Sequence, residues 1–185
     1  MPPSLPDGRP VLLRRATEED VPHIAEIYNE AVIHSTATFD ISPKTLVEKA
    51  EWLRGHDPSH PVIVAEFPNG WIAGWASLSK FSDRPCYSGT VEDSVYVRSE
   101  ARRRGIGSLL LETLIVEARR AGHHAILARI DSGNEPSIRL HERLGFRRVG
   151  VLREVGFKFG RWLDVIIMEL LLGSTERPDP PEHGY

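Results

Sequence analysis

The residues best suited to chemistry fall in three short stretches. The first is Arg102-Arg103-Arg104-Gly105-Ile106-Gly107-Ser108, between a strand-like run and a long apolar helical run. Glycines there let the backbone turn tightly and bring N–H groups close to a ligand. A helix beginning at that point adds unpaired N–H donors and the positive end of its dipole, so the segment can cradle a pyrophosphate. The second is Glu92 in Thr90-Val91-Glu92-Asp93-Ser94-Val95-Tyr96-Val97, a carboxylate able to take a proton from a nucleophile. The third is His141, whose imidazole can serve as a general acid or share the base role. Each has a plainer reading: a solvated basic turn, a surface or Arg-paired glutamate, and a histidine packed where a helix meets a sheet.

The cradle is neither a Walker loop, since no Gly-Lys-Ser/Thr follows, nor a dinucleotide fingerprint, since Leu110 stands at the third glycine position. Strand alternation puts Glu92, Ser94 and Tyr96 on one face, and Val91, Asp93, Val95 and Val97 on the other. Asn134, just before Pro136, is placed to cap a short helix. Cys86 has no basic neighbourhood to activate it and is expected to be buried or half-buried. His123 and His124 follow a long helix, where cations are favoured.

The elements that must position these groups alternate between strand and helix. Strands are expected at 11–15, 62–66, 72–81, 91–97, 125–131, 149–157 and 164–172. Helices are expected from Thr17, from Ser42-Pro43 to Gly55, over 105–121 and over 136–144. Asn69-Gly70 suits a hairpin turn, and Gly160-Arg161 a second. This pattern predicts a single α/β domain over 11–172, with a mixed central β-sheet flanked by helices, and flexible tails at 1–10 and 173–185.

The chain has 185 residues, 41% hydrophobic and 26% charged, with a formal net charge of −3. That balance offers no global basic field for nucleic acid, so any anion site must be local. One cysteine excludes an intramolecular disulfide framework and fits a reducing, cytoplasmic setting. The start lacks a signal-peptide core, no run is long enough for a membrane span, and no grouping has metal-ligand spacing.

The R-x-x-G-x-G segment resembles the coenzyme A pyrophosphate loop of the GNAT superfamily of N-acetyltransferases. Within that superfamily the chain is most similar to the phosphinothricin and methionine-derivative acetyltransferases. The likeness rests on Ser35, Thr36 and Phe39; on Thr90, Glu92, Ser94, Val95, Tyr96 and Val97; on Asn134 to Glu142; and on Gly156, Lys158, Gly160, Trp162 and Asp164. It implies a GNAT fold and acetyl-CoA as co-substrate, with no metal. Glu92 and His141 become the implied catalytic pair. Arg102, Arg103, Arg104, Gly105, Ile106, Gly107 and Ser108 become the pyrophosphate cradle, and Val95, Tyr96, Val97, Asn134 and Ser137 the pantetheine site.

The resemblance also implies a small amino acid analogue as acceptor, with phosphinothricin, methionine sulfoximine and methionine sulfone in view. Arg84 lies eight residues ahead of Glu92, as in phosphinothricin-type enzymes, and a guanidinium fork suits a carboxylate or phosphinate. Phe39 and Tyr87 are expected beside it. A homodimer is implied by the Gly156–Asp164 hairpin. A protein N-terminus or lysine as acceptor, or a module that binds acetyl-CoA without turnover, stays open.

Overall fold

In this computed structural model, residues 10–173 are described; the expectation of flexible tails falls, but for residues 10 and 173, outside the described residues. Seven strands form one sheet in the order β1-β2-β3-β4-β5-β7-β6: β1 Leu12–Arg15, β2 Val62–Glu66, β3 Ile72–Lys80, β4 Thr90–Val97, β5 Ala125–Asp131, β6 Arg147–Lys158 and β7 Arg161–Leu171. All neighbours run antiparallel except β4 and β5, which are parallel. Among the described residues the four α-helices are α1 Val21–His34, α2 Leu46–Arg54, α3 Ile106–Arg120 and α4 Glu135–Arg143.

Both faces of the sheet are covered. On one, α3 and α4 bury Leu110, Leu111, Leu114 and Ile138 against Leu78, Val91, Ile126 and Met168. On the other, Ile24 and Ile27 of α1 pack on Val62, Val64, Ile72 and Trp75. This two-sided burial explains why β2 and β3 read as nearly continuous apolar runs.

Two expectations need correction. The second helix starts at Leu46, not at Ser42-Pro43, because Thr45 and Glu48 form a reciprocal capping box that satisfies the first N–H groups. Cys86 is exposed rather than buried, since it sits in the short 3-10 turn Pro85–Tyr87 and not on a core-facing strand. His123 does more than follow a helix: its Nε2 meets the Ser59 carbonyl at 2.8 Å.

Candidate active site

The site is made by a failure of pairing. β4 and β5 pair only over Thr90, Val91 and Glu92 against Ala125, Ile126 and Leu127. Beyond that point β4 continues to Val97 paired with β3, while β5 continues to Asp131 paired with β7. The two strands therefore splay, and the β4 edge over residues 93–97 has no strand partner on that side. A cleft of about 460 Å³ fills the wedge, lined by segments 36–39, 92–96 and 128–131 and by Asn134, Ser137 and His141.

Adjacent carboxylates of β4 enter this cleft from opposite faces of the sheet. Glu92 receives both Nε and a terminal nitrogen of Arg129, at 2.6 and 2.7 Å. A bidentate guanidinium fixes the direction of a carboxylate. Asp93, on the other face, is buried and meets His141 Nε2 at 3.0 Å. His141 Nδ1 faces the Ser137 carbonyl at 2.8 Å. Both ring nitrogens thus face acceptors, which a neutral imidazole with one N–H cannot satisfy. Burial alone would lower the His141 pKa; the Asp93 hydrogen bond and charge, with the Ser137 carbonyl, outweigh it and raise the value. The raised value fits His141 as a proton donor better than as a base. Asp93 Oδ1 is buried with no donor.

This pair has a testable pH signature. A raised folded-state pKa stabilises the fold fully below the unfolded histidine value of about 6.5, and the gain is lost as pH rises through the folded value. The thermal midpoint of the wild type should exceed that of Asp93→Asn most at mildly acid pH, and the gap should shrink as pH rises. A constant gap across that range would show that the pair carries no linked proton.

Sequence reasoning passed over Asp93 and Arg129. Asp93 shares a strand face with Val91, Val95 and Val97, and an acid on an otherwise apolar face signals a buried partner. Arg129 gave no signal beyond its place in a strand.

The cradle follows directly from β4. Arg98 to Ala101 turn once, and α3 opens at Ile106 behind Gly105, whose φ of 86° lies in the left-handed region. Arg103 adopts φ 60°, an unusual angle for a side chain with a Cβ. The first N–H groups of α3, at Ile106, Gly107 and Ser108, have no helical carbonyl to bond. The Ile106 side chain is in the core, so that residue offers only its backbone. Arg102 folds back onto the Val97 carbonyl and Glu30, tying strand to loop, while Arg103 and Arg104 are exposed. A Cβ on Gly107 would sit 3.3 Å from Leu140 Cδ2. Asn134 caps α4 by accepting from the Ser137 N–H at 3.3 Å, which leaves its side-chain amide donors towards the cleft. Backbone donors, a bare strand edge and a free amide suit a phosphorylated pantetheine arm.

The other wall is segment 36–39, strapped down from three sides. Thr36 bonds Asp131, and the buried Lys158 ammonium donates to the Thr38 carbonyl at 2.8 Å. Phe39 lies directly over Gly156, where no side chain would fit. Gly156 sits at the end of a bulge in β6 that brings Leu152 and Val155 to the cleft. The Ser35–Phe39 and Gly156–Asp164 motifs are therefore one structure. Gly156→Ala should displace Phe39 and raise the KM of the acceptor by about 10- to 100-fold, the scale of an ångström-level misplacement. The KM for acetyl-CoA should hold, and steady-state titration of both substrates checks it.

Arg84 and Tyr87 stand apart. Both lie at the short exposed turn before β4, and neither lines the cleft of this chain. Among the described residues no cluster of three or more His, Cys, Asp or Glu could hold a metal, and no helix is long and apolar enough to cross a membrane.

Comparison with known proteins accounts for this geometry. Residues 13–167 match the acetyltransferase (GNAT) domain. The chain is 42% identical over 164 residues to the L-methionine sulfoximine/L-methionine sulfone acetyltransferase of Pseudomonas paraeruginosa, covering 88% of this chain and 95% of that protein. It is 39% identical to the phosphinothricin N-acetyltransferase of Streptomyces coelicolor, over 87% of this chain and 96% of the relative. A putative acetyltransferase from Salmonella typhimurium, solved with its cofactor acetyl-CoA, superposes with a TM-score of 0.87 at 39% identity, covering 91% of this chain and 98% of that one. A splayed β4–β5 pair, a glycine-opened α3 and a match over nearly the whole described chain lead to one conclusion: this chain belongs to the GNAT acetyltransferase family.

Proposed function

We infer that this chain transfers the acetyl group of acetyl-CoA to the α-amine of a small amino acid analogue of the methionine sulfoximine, methionine sulfone or phosphinothricin type. The observation that carries the reading is the cleft through the sheet, with the Arg129-bound Glu92 carboxylate on one face and the Asp93-bound His141 on the other. The names of the relatives supply the acceptor class.

In this reading the cradle of residues 102–108 holds the pyrophosphate, and the open edge of Val95, Tyr96 and Val97 holds the pantetheine arm like an added strand, with Asn134 and Ser137 beside it. An ammonium has no lone pair with which to attack a thioester. Glu92, oriented by Arg129, takes the first proton from the ammonium directly or through water; the amine then attacks the carbonyl carbon, and its nitrogen sheds a second proton to water as the C–S bond breaks. A β4 N–H meets the developing oxyanion. His141 stands across the wedge and gives its proton to the departing thiolate, with Asp93 keeping the ring charged and oriented. No metal is needed, because the thioester is already activated. Phe39 walls the acceptor.

The reading extends to a cytoplasmic homodimer. Val149, Val151, Leu152, Val155, Phe157 and Trp162 are exposed on the β6 edge and its hairpin, and a run of exposed apolar side chains of this kind suits an interface. Leu152 and Val155 also line the cleft, so a partner there would lie against its mouth, and Arg84 and Tyr87 would serve an acceptor across such an interface.

A thiol-release screen with acetyl-CoA tests the acceptor class. Methionine sulfone, methionine sulfoximine and phosphinothricin should be turned over far faster than polyamines, lysine peptides or protein N-terminal peptides. Preference for a peptide would overturn the acceptor while leaving the acetyl transfer in place.

A further inference from the structure

A second cavity of about 330 Å³ opens on the Glu92 face of the sheet and shares Ser94 and Tyr96 with the cleft. Its floor follows from strand register. Trp75 pairs with Tyr96, Ser77 with Ser94 and Ser79 with Glu92, so these side chains form a row leading from the proposed base. Its roof is Lys49 of α2, buried to 5% exposure. The ammonium lies 3.6 Å from the Tyr28 ring centroid, 4.5 Å from that of Trp52 and 5.2 Å from that of Trp75.

Among the described residues, no hydrogen-bond acceptor or carboxylate pairs with this ammonium. The two nearby acids are engaged elsewhere: Asp40 accepts from the Tyr28 hydroxyl at 2.8 Å and pairs with Lys44, and Glu48 caps α2. Burial pushes the Lys49 pKa down to about 8, so the group is charged at neutral pH. Ring faces recover part of the lost hydration, yet a buried charge without an oxygen partner still costs stability. Trp75 Nε1, in the same wall, also has no acceptor. The cavity thus offers the Lys49 ammonium, serine hydroxyls and aromatic faces, with Asp40 and Glu48 already engaged on its wall, and a ligand oxygen entering it would give the ammonium an acceptor.

We propose that this cavity is the side-chain subsite of the acceptor, in which Lys49 donates to an oxygen of a sulfone, sulfoximine or phosphinate head. The inference rests on the acceptor class named above and explains its common chemistry. All three heads are tetrahedral centres bearing oxygen and a methyl group. The oxygen matches Lys49, and the methyl matches the walls of Tyr28, Trp52 and Trp75. Methionine itself has the methyl and lacks the oxygen, so it leaves the ammonium unpaired. A site built around a donor discriminates in this way against an analogue that cannot accept.

The test compares methionine sulfone with methionine in the wild type, in Lys49→Met and in Lys49→Gln, both of which remove the charge. In either variant that folds by thermal melting, kcat/KM for the sulfone should fall by roughly 10- to 100-fold while that for methionine changes by less than about threefold. The KM for acetyl-CoA should stay the same. An equal fall for both acceptors assigns Lys49 to packing alone, and an unchanged sulfone rate removes it from recognition; either result overturns the subsite. A wild type that acetylates peptides and neither amino acid removes the acceptor class, and the subsite with it.

Discussion

Gly107→Glu will abolish acetyl-CoA binding and leave the apo-protein folded. The glutamate enters the first turn of α3, where the unpaired N–H groups of residues 106–108 must face a pyrophosphate. Its carboxylate sits close to the anion it must admit, and its stem fills the space that glycine leaves open. The new Cβ lies 3.3 Å from Leu140 Cδ2, a side-chain tip that can yield a few tenths of an ångström, and 3.9 Å from Val97 Cγ2. An acid in the first turn also favours the helix dipole, so folding should survive. Affinity should drop on the order of 100-fold or more, the loss of several charge-assisted hydrogen bonds. Calorimetry then finds no heat of binding, and acetyl-CoA no longer raises the thermal midpoint. An unchanged affinity would show that the phosphates lie elsewhere.

Glu92→Gln should lower turnover by ~10²- to 10⁴-fold, the range for a lost general base, with acetyl-CoA affinity unchanged. Glutamine keeps the size and can still accept one hydrogen bond from Arg129. It cannot take a proton from an ammonium. His141→Ala should cost less, since a thiolate is a tolerable leaving group without an acid. Asp93→Asn serves as the control for the neighbouring carboxylate: if it loses more than Glu92→Gln while acetyl-CoA still binds, the base lies on the other face of the sheet. Near-normal turnover of Glu92→Gln at neutral pH would sink its assignment outright.

Local signals carried most of the fold into view. The glycine-arginine turn, the alternation of β4 and the Asn134-x-Pro136 cap each depend on neighbours within a few residues, and each lies where its spacing puts it. Pro43 suits a first helical turn by type, yet the Thr45–Glu48 box that begins two residues on satisfies the backbone better and sets the start of α2. What stayed hidden depends on partners far apart in the chain. Arg129 meets Glu92, and Lys158 meets Thr38, across separations that no periodicity records. The splay of β4 from β5 is likewise a tertiary event, although it creates the cleft. Lys49 reads as a solvated helical position until Tyr28 and Trp75 are seen around it. Arg84, eight residues before Glu92, lies on an exposed turn and outside the cleft lining of this chain, so spacing alone does not bring it to the cleft.

The measurement that bears most directly on the account is identification of the product. The wild-type protein is incubated with isotope-labelled acetyl-CoA and methionine sulfone, and the labelled species is examined by NMR and mass spectrometry. The account predicts one product, with the labelled acetyl group on the α-nitrogen of methionine sulfone, formed with one equivalent of free coenzyme A. Release of coenzyme A with the label found only as free acetate, or no turnover despite acetyl-CoA binding, would contradict it.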